Sequence, residues 1–182
     1  VRLWYAVLVG ALALQRRREL ALSKRLEAAR PGRRAAARSF PFMVAVHVGL
    51  FLVPSLEVRL AHRRPRRVGL WLTLLAAATG LRWWSIRSLG NQWNVRAAVP
   101  TDLEPVTQGP YRWVRHPNYL AVILEFAALP MAGGAWISAI ALSALDGAVL
   151  VDRIKAEESL LAEVPGYEQA FAGKARFIPG IF

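Results

Sequence analysis

The chain has 182 residues, enough for one domain, and combines 55% hydrophobic residues with a net charge of +12. These properties separate along the chain, as they do in membrane proteins and seldom in soluble ones. There is no cysteine, which excludes disulfides, thiolate metal sites and cysteine nucleophiles.

Five apolar stretches follow in order, at residues 3–14, 40–56, 68–86, 119–131 and 135–151. They predict an all-α integral membrane bundle of about five transmembrane helices, although 3–14 and 119–131 fall short of the roughly 20 residues a span needs. The first lacks a basic leader and a small-residue cleavage site, so it reads as a retained segment and not a signal peptide. Between the stretches lie two basic loops. Residues 15–38 carry nine Lys or Arg against two Glu, and residues 59–67 carry five Arg and no acid. Both fit anchoring to anionic membrane lipid. Nucleic-acid binding does not fit, because no aromatic residues interleave with these arginines. The positive-inside rule puts 15–38 in the cytosol, with 109–118 and the C-terminus on the same side. It leaves the arginines of 59–67 as an exception.

Gly133-Gly134 joins the fourth and fifth stretches and predicts a tight turn, hence a C-terminal helical hairpin. Pro130 is placed to bend the end of the fourth helix. At the mouth of the hairpin stands "GPYRWVRHPNYLAV", residues 109–122. Pro117 keeps His116 out of helical geometry and itself suits a first helical turn. Free N–H groups of that turn, with Arg115 beside them, suit a carboxylate or phosphate. Interfacial anchoring accounts for Arg112 and Trp113 equally well. At the far end of the hairpin, Arg153 and Glu157 share a helix face and Glu158 is next to it. A hairpin brings its ends together, so His116, Tyr119, Arg153, Glu157 and Glu158 are expected to converge at one membrane surface. The three histidines lack ligand-like spacing, so no metal site is expected. His47 reads as a packed, hydrogen-bonded residue before a catalyst. Asp146, within the fifth stretch, suggests a hydrogen bond across the hairpin. Glu125 lies at membrane depth without an assignable role.

"RHPNY", then a hairpin, then "RIKAEESLL…GYEQAF", resembles the isoprenylcysteine carboxyl methyltransferase family of integral membrane enzymes over roughly residues 80–182. The resemblance implies a single domain, with residues 1–79 as N-terminal helices and basic loops and 80–182 as the catalytic core. It implies S-adenosylmethionine in a cytosol-facing pocket at a bacterial plasma membrane. Arg115, His116, Pro117 and Tyr119 match the RHPxY motif, and Glu157 and Glu158 its acidic pair, as cofactor-binding residues. Arg153 and Glu157 are the implied catalytic pair. Ala121 and Phe171 stand where Gly and Tyr are frequent. The stretch 81–99 resembles a bacterial branch acting on lipid phenols and pyrones, which points to Arg87, Trp93, Arg96 and Arg153 for a lipophilic acceptor. Transfer to a carboxylate or phenol oxygen is expected. A phospholipid N-methyltransferase, a nicotinamide-dependent membrane reductase and a non-catalytic lipid binder are the alternatives.

Overall fold

The computed structural model describes residues 2–35, 39–100 and 102–180. Helix α1 (Leu3–Ala29) comes first, then α2 (Phe40–Ala61), α3 (Val68–Leu89), α4 (Pro117–Gly133), α5 (Trp136–Leu161) and the short α6 (Tyr167–Ala170). The chain is mostly helical, as expected. Strands β1 (Gly32–Arg34) and β2 (Ala98–Pro100) add a small antiparallel sheet that the sequence reading did not foresee.

The basic stretch at 15–38 is not a loop over most of its length. α1 runs unbroken to Ala29, and 36–38 lie outside the described residues. From Ala11 to Arg30 there is no glycine or proline, and alanine, leucine, arginine, lysine and glutamate dominate. Pro31-Gly32 then ends the helix. Charge alone did not make a loop, because arginine and lysine are good helix formers.

α4 is the hub. It packs on α3, α5 and α2, and most of its residues are buried. Tyr5, Leu50, Leu75, Phe126, Leu129 and Leu142 bring α1 to α5 into one core. The α4–α5 hairpin forms as expected. Gly134 takes a left-handed φ of 88°, and its N–H bonds back to Met131 and Pro130. A Cβ there would sit 3.2 Å from Pro65 of the α2–α3 loop. That loop therefore lies at the hairpin-turn end of the bundle. The arginine-rich loop has a partial structural account: Arg63 pairs with Glu57 at 2.9 Å and stacks over Trp136. Glu57 also accepts from Ser138 N at 2.7 Å, placing an anion at the start of α5.

Among the described residues, α2 alone meets both the length and the hydropathy of a membrane span. The outward faces nonetheless expose large apolar side chains on other helices too, including Val7, Leu70, Ile140 and Val151.

Candidate active site

Pro117 opens α4, and His116 before it is non-helical (φ −126°, ψ 57°), as a residue preceding proline should be. The His116 carbonyl accepts the Tyr119 and Leu120 N–H groups. The C-terminal segment then docks alongside. Arg115 N donates to Ala175 O and His116 N to Arg176 O, both at 2.9 Å, while Arg115 Nε reaches Lys174 O at 2.8 Å. Arg115 thus holds the chain terminus as well as edging the cavity described below.

The hairpin brings together the five residues expected to converge. They form two separate chains of hydrogen bonds, the second completed by Arg176. In one, Arg153 Nε donates to the Tyr119 hydroxyl at 2.7 Å, and that hydroxyl donates its proton to Glu157. Arg153 also reaches Met43 Sδ at 2.9 Å and the Val95 carbonyl. In the other, His116 Nε2 meets Glu158 Oε1 at 3.0 Å. Arg176 donates to both oxygens of the same carboxylate, at 2.7 Å to Oε2. The two adjacent glutamates therefore differ. Glu158 is occupied by His116 and the C-terminal segment, whereas Glu157 faces a cavity. His116, and Arg176 after it, hold the Glu158 carboxyl down at about 2. Arg176 is pushed up in turn by Glu158. Burial, with Glu157 adding, raises Tyr111, and the same causes act on Tyr167.

The cavity has a volume of about 370 Å³, within the usual range for small-molecule sites. Arg115, His116, Tyr119, Arg153 and Glu157 line one end, with the aromatic rings of Tyr111, Tyr167 and Phe171. Phe171 stacks on Tyr167 at 4.7 Å, so an aromatic face persists where a tyrosine was expected. Elsewhere the wall is built by α1 and α2, where the apolar Leu20, Val44, Val48 and Phe51 stand beside Arg16, Arg17, Glu19 and His47. These N-terminal helices were not assigned to the site from sequence.

Of the residues expected to hold an acceptor, Arg153 and Trp93 line the cavity. Trp93 is 2% exposed, and its indole N–H has no acceptor among the described residues. Arg87 and Arg96 do not line it. Arg87 is exposed and lies over Trp83, because the helical period at the end of α3 turns it outward. Arg96 is engaged by the Phe40 ring at 4.7 Å and lies 3.8 Å from Glu27. Pro117 contributes by opening α4 and has no N–H to offer a ligand.

The same helical period turns Arg82 inward, which sequence reasoning missed. Arg82 donates to Glu19 at 2.9 Å and to Asn118 at 3.3 Å. Arg16 bridges Glu19, at 2.6 Å, and Glu125. Glu125 thus gains a partner on α1, and the acid at position 19, directly after three arginines, was the visible hint. Asp146 does not bond across the hairpin. It faces α2, with Oδ1 4.0 Å from His47 Nδ1.

The sequence model of the isoprenylcysteine carboxyl methyltransferase (ICMT) family matches residues 71–163, which include His116, Tyr119, Arg153, Glu157 and Glu158. A Bacillus subtilis (strain 168) protein described as "Uncharacterized protein YpbQ" is 32% identical over 163 residues, covering 86% of this chain and 96% of its own length. With a match across half the chain and a full-length relative above 30% identity, this chain belongs to the isoprenylcysteine carboxyl methyltransferase family.

Proposed function

We propose that the protein transfers a methyl group from S-adenosylmethionine to an oxygen of a lipophilic acceptor. In this reading α1 to α5 cross the bacterial plasma membrane, and the site end of the bundle faces the cytosol. Family membership supports methyl transfer. Exposed apolar side chains around the bundle support the membrane setting, and the basic residues of 15–38 and 59–67 suit anionic lipid.

The observation that carries the reading is the Arg153–Tyr119–Glu157 chain in the wall of a cavity that apolar side chains of α1 and α2 also line. The residues present suit a cationic cofactor. Glu157 faces the cavity with a carboxylate that Tyr119 holds in place, and it would take the cofactor's amino group. The rings of Tyr111, Tyr119 and Phe171 suit a sulfonium by cation–π attraction. Glu158 acts at one remove, by fastening His116 and Arg176. S-adenosylmethionine supplies an electrophilic methyl group when bound. The protein's task is alignment and exclusion of water. Arg153 remains protonated and would hold an acceptor oxyanion by charge. Leu20, Val44, Val48 and Phe51 would receive the acceptor's chain.

Calorimetric titration of the detergent-purified protein with S-adenosylhomocysteine, with NADPH as comparison, tests the cofactor. Single-turnover transfer to prenylcysteines, long-chain phenols and fatty acids tests the reaction. Binding of NADPH alone would replace the reading by a reductase. Methylation of amines alone would replace it by a phospholipid N-methyltransferase.

A further inference from the structure

His47 lies on α2, outside the segment that matches the family, yet it lines the cavity. Its Nδ1 is 3.0 Å from the Met43 carbonyl. A carbonyl can only accept, so Nδ1 carries the proton and Nε2 holds the free lone pair. Nε2 has no partner in the protein among the described residues. The ring is fixed edge-on against Phe126, with centroids 5.1 Å apart. Behind it stands Asp146, whose side chain is 3% exposed and whose Oδ1 has no hydrogen-bond partner. At 4.0 Å from Nδ1, that oxygen is too far for a hydrogen bond but close enough to stabilise a charged ring.

Met43 links this pair to the methyl-transfer end: its carbonyl orients His47 and its sulfur touches Arg153. The charges around the imidazole come from four other helices. Asp146 of α5 favours a charged ring, Arg153 of α5, Arg16 of α1 and Arg82 of α3 oppose it, and Glu125 of α4 acts on Asp146. Packing alone does not call for a buried carboxylate 4.0 Å from a cavity-lining ring whose other nitrogen has no protein partner among the described residues.

We propose that His47, backed by Asp146, is the base that takes the proton from a hydroxyl-bearing lipophilic acceptor. The proposal rests on the methyltransferase reading above. The acceptor O–H bond breaks and its proton passes to His47 Nε2. The oxygen's electron pair forms the new bond to the methyl carbon, and the S–CH₃ bonding pair remains on sulfur, neutralising the sulfonium. Asp146 balances the imidazolium and Arg153 the transient oxyanion. The ring returns its proton to water once the product leaves. A carboxylate acceptor, already ionised, needs none of this.

The test compares acceptors within each variant, so that losses of folding or cofactor affinity cancel. Single-turnover rates are measured for a long-chain phenol, the corresponding nitrophenol (largely ionised at neutral pH) and a fatty acid. In His47→Ala and His47→Asn the phenol-to-fatty-acid ratio should fall about 100-fold or more. The nitrophenol ratio should fall far less. Asn restores the N–H donated to Met43 but cannot take a proton, so recovery of phenol transfer in His47→Asn would overturn the proposal. An unmoved ratio in both variants would do the same, as would a wild type that methylates only carboxylates. If neither His47 variant folds, Asp146→Asn decides, since it should lower the same ratio. S-adenosylhomocysteine binding by the wild type reports separately on the cofactor reading, whose failure is thereby distinguished from failure of the base.

Discussion

The two adjacent glutamates provide a sharp test of the site, because their different surroundings predict different consequences for the same substitution. Glu157→Gln keeps an oxygen to accept the Tyr119 hydroxyl and removes only the charge facing the cavity. A charge-assisted hydrogen bond to a ligand is worth about 1.5–3 kcal/mol. S-adenosylhomocysteine should therefore bind roughly tenfold to 150-fold more weakly. The melting temperature of the ligand-free protein should hardly move. Glu158→Gln removes the charge shared by His116 and Arg176. The Arg176 side chain is 41% exposed, so solvent screens that pair, and its loss costs about 1 kcal/mol or less. For a chain of this length that is a fall of roughly 2–4 °C. Affinity should fall by less than in Glu157→Gln, because the effect reaches the ligand only through His116 and the C-terminal segment. Calorimetry and thermal unfolding of both variants under one detergent condition read the two quantities. If Glu158→Gln cost more affinity than Glu157→Gln, the ligand's cation would sit on Glu158 and the assignment of roles would be wrong.

Arg153→Lys retains the charge but has one nitrogen for three acceptors, Tyr119, Met43 and Val95, so methyl transfer should fall about 100-fold or more. Cofactor affinity should stay within several-fold, and a wild-type turnover rate would contradict the acceptor role. The tether at Glu158 is pH-dependent with a definite sign. Its carboxyl is lowered from 4.5 to about 2, so its contribution is present above pH 4.5 and is lost as the pH falls through about 2. Hydrogen exchange at the Arg115 and His116 amides, which bond to the C-terminal segment, should quicken over that window relative to the α4 core. Gly133→Ala would drive a Cβ to 2.7 Å from the Tyr5 ring and 2.8 Å from Val58, so about 1–3 kcal/mol of stability should be lost on thermal unfolding. Single cysteines at Gln108 and Lys174 should resist an impermeant thiol reagent in intact cells, and labelling of either from outside would reverse the proposed orientation.

Much of the site could be read from the sequence because its logic is local. A proline after His116, a glycine pair at the turn and the four-residue spacing of Arg153 and Glu157 each constrain the backbone within a few residues. The hairpin converts those local facts into a meeting of chain ends. Arg82, Glu19 and Arg16 obey no such rule. Which arginine of α3 faces inward depends on how α3 rolls against α4, and no spacing within α3 encodes that. The resemblance over 81–99 points to Arg87 and does not single out Arg82. The apparent loop at 15–38 failed differently. Its charge was read as evidence against order, when the absence of glycine and proline from residue 11 to residue 30 was the stronger signal. Arg176 had no local signature at all. Its role depends on residues 174–176 returning to lie beside 114–116.

The buried charges of α1, α3 and α4 balance: Arg16 and Arg82 stand against Glu19 and Glu125. A group of two cations and two anions with interlocking partners can lie in an apolar bundle where an unpaired ion could not. Removing one member should cost more than removing a pair, since it leaves an uncompensated charge. The cluster also fixes where α1 sits, because Arg16 and Glu19 hold it to α3 and α4 while Ser23 accepts the Val95 N–H at 2.9 Å. Leu20, on the same helix, is thereby set in the wall of the cavity. The family match begins only at residue 71 and includes the residues proposed to hold the methyl donor. On the proposed reading, donor chemistry is thus housed in the matched segment, whereas α1 and α2 shape the space left for the acceptor. Substitutions at Leu20, Val44, Val48 or Phe51 should then change which acceptor chains are used without altering cofactor affinity. Substitutions at Glu157 should do the reverse.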